Sequence, residues 1–432
     1  MTTVEQTPPT DYQRLFDLDQ EIVGCPYPTF ARMRDEEPVV WVDKIEAFAV
    51  TRYEDVSYVL KHPELFSSAQ ATGPVLIRQT QEGIAGLMET GDAEIRDTLQ
   101  RLMHRGRVPV LLSADPPLHS RQRNLVNRSF TQRRVRESED SIREITESLV
   151  DAFASAGEVE FVTGFAVPLP LSVIADRLGV PRERMPDFKR WSDEFTAAIG
   201  NHNMSQAELR RMLLAQAEFF TYFEEQVEDR RRQPRADMVS EVANARLPDG
   251  DELSPQEILG MLNQFLIAGN ETTTKLLAFA VHRLASDPAL ADRLRAEPAR
   301  IEAFVEEMLR LEAPVQGLFR IANQDCEVGG VAVPAGAAVW LAYASANHDP
   351  AAFECPEQLD LDRSFARPHL AFGFGEHFCL GAALARAEAR IGIDTLLRRL
   401  RGIRLHERNT FEYEHSYALH GLRELWLRFE AA

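Results

Sequence analysis

The sequence predicts a mainly α-helical protein with a minor β part, folded as a single unit. Residues 117–300 run almost throughout in helical pattern. Strand-like alternation is confined to short stretches near 38–53, 325–345 and 411–430. No Gly-, Pro- or Ser-rich linker divides the chain, and there is no internal repeat, so helices and strands belong to one core.

In chain order, residues 1–25 read as an N-terminal leader, with a polar, acidic start (MTTVEQTPPTDYQRLFDLDQ), and 26–432 as the folded unit. A short helix (PTFARMRDEE) precedes two strands (PVVWVDK and AFAVTRY) and a second helix (YEDVSYVLKHP). Residues 69–110 read as irregular apart from a charged helical stretch, AEIRDTLQRLMHR. RRQPRAD stops a helix, and LPDGDELSP turns the chain into the longest one. Ser254 there supplies an N-cap, Pro255 the first helical position and Glu257 the carboxylate of a capping box.

The chain of 432 residues is 44% hydrophobic and 27% charged, the balance of a globular protein with a sizeable core. A net charge of −19 argues against nucleic acid as a partner. Cys25, Cys326, Cys355 and Cys379 include no C-x-x-C pair, which argues against structural zinc and thioredoxin-like chemistry. Sparse cysteines, no signal-type segment and no stretch of membrane-span length lead us to expect a cytoplasmic, monomeric protein.

Four stretches carry candidate chemistry. FGFGEHFCLG sets Cys379 among phenylalanines and glycines. Such a dry, closely wrapped thiol is an inert core cysteine or a metal ligand. LIAGNETTTKLL places Ala268 and Gly269 mid-helix, followed by Glu271 and Thr272. A small pair there is a tolerated kink or a gap opened for a ligand, with an acid and a hydroxyl beside it to move protons. FVEEMLRLEAP puts Glu307 and Arg310 on one helix face among large apolar residues, where a pair can be buried if other hydrogen bonds satisfy it. DPPLHSRQR sets His119 and Arg123 on one face, while Arg320 and His377 lie far off in sequence. These four are unrelated surface groups or a set converging on carboxylates.

Taken in order, this array (a His/Arg helix, A-G-x-E-T, E-x-x-R, then F-x-x-G-x-H-x-C-x-G) resembles the cytochrome P-450 family of haem-thiolate monooxygenases, in particular its soluble bacterial members. The resemblance runs from about Pro26 to the C-terminus, and FGFGEHFCLGAALAR is its most specific part. It implies a triangular helical prism enclosing haem b, with Cys379 as the thiolate ligand of iron, Phe372 shielding the sulfur and Gly381 bringing backbone N–H groups to it. It implies His119, Arg123, Arg320 and His377 as propionate ligands and Ala268 and Gly269 as the cofactor-facing gap. Glu271 and Thr272 become the acid–alcohol pair that delivers protons to dioxygen, and Glu307 and Arg310 a structural pair.

The implied activity is insertion of one oxygen atom from O₂ into a hydrophobic small molecule, by hydroxylation or epoxidation. The alternatives are a peroxide-driven peroxygenase, which would lack the acid–alcohol pair, and a haem-binding sensor without turnover, which would not need it. Pocket walls are expected from the 69–114 region and from Gln264, Ile267, Val315, Gln316, Phe319, Tyr417 and Leu419. Electrons are expected from a separate ferredoxin or flavodoxin with its reductase. Residues 121–136 hold six arginines and no acid; Arg121, Arg128, Arg133, Arg134 and Arg136 are the candidate docking surface.

The sequence departs from the family in three places. Gln358 and Leu359 stand in CPEQLDLDR where the family's third partner of the buried Glu–Arg pair, an arginine, is usual. His348 stands where arginine is common, and the 69–114 region is longer than in most bacterial relatives.

Overall fold

In the computed structural model, residues 11–432 are described except 107, 198, 202, 203, 248 and 249. Helices dominate, and the longest, Pro255–Ser286, runs through the middle of the packing. Its start follows the local chemistry: the Glu257 N–H donates to Ser254 Oγ (3.2 Å), and the Ser254 N–H donates back to the Glu257 carboxylate (2.8 Å). The helix packs against Pro168–Leu178 and against Ala382–Arg399, the helix that follows Cys379.

The β part is small and sits beside the helices. Five strands form the largest sheet, in the order Val39–Val42, Ala47–Val50, Ala338–Leu341, Leu318–Ala322, Phe66–Ser67. Ala47–Val50 and Ala338–Leu341 run parallel; the other pairs are antiparallel. The parallel pair joins residues nearly three hundred positions apart, so the sheet closes one unit rather than a separate module. A second sheet sets Trp426–Ala431 between Glu158–Glu160 and Leu400–Leu405.

Three expectations change. From Asp11 on, the stretch expected as a leader is structured: Leu15, Phe16, Leu18 and Val23 are buried in the main core. The Phe16 ring lies 5.2 Å from Trp340 and 5.5 Å from Tyr417. Four apolar residues behind a polar opening anchor it, and burial of a phenylalanine outweighs the polarity around it. Residues 69–110 are not irregular: Pro74–Thr90 is helical, as is the expected Ala93–Arg105. Pro74 at the first helical position and Gly73 at φ +97° start the first of these, a signal legible as a helix start rather than a loop. Both pack on Gln206–Arg232 through Leu87, Ile95, Leu99, Leu209 and Leu213. Finally, much of 411–430 is turns and isolated bridges, with a regular strand only at Trp426–Ala431.

Candidate active site

The Cys379 loop is built on tight backbone turns. Gly373 and Gly375 adopt φ +66° and +72°, which disfavour a side chain, and a Cβ on Gly375 would lie 2.8 Å from the Leu60 carbonyl oxygen. The Cys379 N–H donates to the Phe372 carbonyl (2.9 Å), which folds the loop back on itself. Gly381 has an ordinary φ of −84° and caps the helix Ala382–Arg399. A Cβ there would sit 4.0 Å from Cys379 Sγ, an ordinary contact, so packing against the sulfur does not by itself demand glycine. Burial pushes the Cys379 thiol pKa up, while N–H groups of Gly381 and Ala382 and the guanidiniums of Arg123 and Arg386 favour the thiolate. The other three cysteines have no such setting; Cys25 and Cys355 are exposed, and all four are free. Phe372 lies beside the loop, its ring 6.2 Å from Phe378 and covered by the Arg386 guanidinium at 4.6 Å.

The four scattered basic residues converge. The His119 and His377 rings lie 4.1 Å apart. Burial first, then Arg320, His119 and Arg123, pushes the His377 imidazole pKa down to about 3. Burial and the same two arginines lower His119. His119 is buried with Nδ1 unpartnered, and Arg320, also buried, donates to its own Phe319 carbonyl (2.8 Å). Arg123 is half-buried and donates to Asn127 Oδ1 (3.0 Å) and to the Phe378 carbonyl (2.8 Å), which ties its helix to the cysteine loop. Ligand atoms of His119, Glu376 and His377 lie within 4.8 Å of one another. With Arg123 and Arg320 beside them the ensemble suits an anion, not a cation. Two imidazoles, two guanidiniums and an unpartnered buried nitrogen fit the carboxylates of a haem, and a thiol receiving backbone N–H groups fits its iron.

Ala268 is exposed in the middle of a long helix most of whose residues are buried. Thr272 Oγ1 donates to the Ala268 carbonyl (2.9 Å). Its neighbours are spent elsewhere: Thr274 donates to the Ala166 carbonyl (3.0 Å), Asn270 to Ser192 Oγ (2.9 Å), and Thr273 is buried. Thr272 and Ala268 therefore share the accessible face. Gly269 lies against Ile174, where a Cβ would meet ordinary contact at 3.5 Å, so packing there does not demand glycine. Glu271 is ion-paired with Lys275, a residue the sequence reasoning passed over.

Glu307 and Arg310 are fully buried and joined at 2.8 and 3.0 Å. Arg310 also donates to the carbonyls of Asn347, Pro356 and Gln358, and Glu307 accepts the Asp360 N–H (2.8 Å). The missing third partner is found: Arg363 donates to Glu307 Oε1 at 2.9 Å. It lies five positions beyond Gln358, in the same LDLDR text, and position-by-position matching concealed it. His348 accepts no such role; its ring nitrogens meet Glu357 (2.9 Å) and the Leu311 carbonyl (3.0 Å), and it stacks on Tyr27.

The expected pocket wall is partly corrected. Ile267 and Val315 are partly accessible, and Leu419 bridges to Val315. Phe319 and Tyr417 belong instead to the aromatic core with Phe16 and Trp340. Alternation along Leu318–Ala322 turns Phe319 inward and leaves Leu318 more accessible. Gln316 is buried and donates to the Ala313 carbonyl (2.8 Å), and Gln264 bonds the backbone of Val110 and Leu112, so both amides hold loops. On the arginine-rich stretch, Arg121 is not a free surface charge; it pairs with Asp251 and Glu257. Arg128, Arg133, Arg134 and Arg136 are exposed; Arg133 pairs with Glu137, and Arg134 with Glu137 and Glu241.

A family model, "Cytochrome P450", matches residues 195–416. A steroid C26-monooxygenase of Mycobacterium tuberculosis is 35% identical over 86% of this chain and 91% of its own length. The solved structure of CYP109Q5 from Chondromyces apiculatus is 35% identical, with a TM-score of 0.81 over 96% of this chain and 98% of that one. CYP109E1 from Bacillus megaterium, solved in complex with corticosterone, is 32% identical with a TM-score of 0.80 over 94% and 99%. No helix among the described residues is long and apolar enough to cross a membrane. The converging thiol loop, basic cluster and interrupted helix face thus occur in a chain that belongs to the cytochrome P450 family, monooxygenases that carry haem b.

Proposed function

We propose that this enzyme inserts one atom of O₂ into a hydrophobic substrate of steroid or comparable polycyclic size, with electrons from a separate ferredoxin or flavodoxin system. The observation that carries the site assignment is the Cys379 loop, where a single wrapped thiol receives the N–H groups of Gly381 and Ala382. Cys379 would ligate the iron, and His119, Arg123, Arg320 and His377 would hold the propionates. Thiolate-ligated haem supplies the electron-rich iron at which dioxygen is activated. The chain's own residues do the rest. Phe372, packed beside the loop against Phe378 and Arg386, would shield the sulfur. Thr272 presents a hydroxyl on the accessible helix face, and Glu271 one residue before it holds a carboxylate that exchanges protons with it.

The proposed substrate class rests on partly accessible apolar groups near the gap, Ile267, Val315 and Leu318, and on the steroid named for one relative and the corticosterone bound to another. Titration of the haem-loaded protein with a panel of steroids, terpenoids and fatty acids, followed by Soret absorption, tests it. A steroid should shift the band at micromolar concentration and be oxygenated in the presence of a reducing system. Binding confined to fatty acids would reject the steroid assignment, and binding without product would favour the non-catalytic sensor.

A further inference from the structure

Lys275 is a lysine where the pattern of the helix calls for an apolar residue. Its side chain is 3% exposed, enclosed between the long helix and the C-terminal turn in which Tyr413 and Leu422 bridge. Its ammonium contacts Glu271 one turn back and Glu414 Oε1 at 3.5 Å on that turn. Gly421 makes room for it: a Cβ there would lie 2.6 Å from Lys275 Cγ. The Glu414 N–H donates to the Gly421 carbonyl (3.0 Å), so the turn places the acid and the gap together. Burial alone would lower the lysine pKa, but the two carboxylates acting on it raise it on balance. Both acids are more accessible than the lysine between them: Glu271 is 19% exposed, Lys275 3% and Glu414 37%.

We propose that Lys275 is a positioning residue for proton delivery: it fixes the Glu271 carboxylate at the inner end of a polar path whose outer end, Glu414, meets solvent. This rests on the assignment of Glu271 as the acid that serves Thr272. Lys275 keeps its own proton throughout. Each proton taken up by the Glu271 carboxylate comes from solvent and leaves toward the Thr272 hydroxyl, which restores Glu271 to its starting charge.

The experiment compares wild type, Lys275→Met, Glu414→Gln and Glu271→Gln as haem-loaded proteins. The infrared carbonyl band of protonated Glu271, identified by its loss in Glu271→Gln, is titrated alongside the pH profile of product formed per electron consumed. Lys275→Met removes the counter-charge beside Glu271, so the infrared titration and the midpoint of the coupling profile should both move to higher pH than in wild type. Glu414→Gln, at a partly exposed position, should shift both in the same direction by less, and it decides the matter if Lys275→Met does not fold. Coupling lost in Glu271→Gln, with both quantities unmoved in Lys275→Met and Glu414→Gln, would overturn the inference and leave Lys275 an anchor for the C-terminal turn. Coupling intact in Glu271→Gln would overturn the assignment beneath it.

Discussion

At the scale of single residues, the helix Pro255–Ser286 assigns different work to three successive threonines. Thr273 is buried, Thr274 ties the helix to the Ala166 carbonyl, and Thr272 alone shares the accessible face with Ala268. Thr272→Ala should therefore leave fold and substrate affinity close to wild type while consumed reductant emerges as hydrogen peroxide. Peroxide yield per NAD(P)H oxidised measures this, and unchanged coupling would remove Thr272 from proton delivery. Cys379, Thr272 and the four basic residues were singled out because each stands in a specific local text. Lys275 was not legible, since its partner Glu414 lies 139 positions away, in a turn with no pattern of its own. Gln316, Phe319 and Tyr417 were expected as pocket wall from the family resemblance, Gln316 as a hydrogen-bond anchor; strand alternation and the Phe16 contact place Phe319 and Tyr417 in the core.

At the scale of elements, one buried and one partly buried carboxylate hold the helix Ile301–Leu311 to its surroundings. Glu307 binds Arg310, Arg363 and the Asp360 N–H, so Glu307→Ala strands two arginines and should cost roughly 3–5 kcal/mol. Lower soluble yield and haem retention, measured by thermal unfolding and haem content, would follow; a stable, fully loaded variant with only turnover reduced would contradict it. Glu306, next in sequence, faces the cysteine helix. Burial alone would raise its carboxyl pKa, but hydrogen bonds from Arg386 and His369 bring it down to about 2, against an ordinary value of 4.5. The unfolded chain then binds more protons between those values, so this contribution is complete above about pH 5 and is lost as pH falls toward 2. Glu306→Gln should cost about 1–2 kcal/mol at neutral pH, after allowance for solvent screening, and flatten the acid limb of the stability curve. Denaturant melts at pH 7 and pH 3 should differ less for the variant than for wild type. The arginine-rich stretches gave no hint of which acid each would meet, because ion-pair partners are set by tertiary approach.

At the scale of the whole molecule, the helical class, the minor β part and the single unit were legible from periodicity and from the absence of linkers. What escaped was long-range: the docking of Leu15 and Phe16 into the core, and the parallel pairing of Ala47–Val50 with Ala338–Leu341. Charge is also organised at this scale. In a chain of net charge −19, residues 121–136 carry six arginines, of which Arg128, Arg133, Arg134 and Arg136 stay exposed. Charge reversal at Arg128 or Arg133 should slow reduction by an acidic ferredoxin at low salt and leave substrate affinity intact. Stopped-flow reduction that ignores both the reversal and ionic strength would move the electron-entry surface elsewhere.

The central claim is that Cys379, wrapped by the Phe372–Gly381 loop, is the thiolate that holds haem iron. The reduced carbon monoxide spectrum of wild type beside Cys379→Ala tests it most directly. Wild type should show the red-shifted band of thiolate-ligated haem, and the variant should lose it while Cys25→Ala, Cys326→Ala and Cys355→Ala keep it. A Cys379→Ala protein that retains that band would contradict the account.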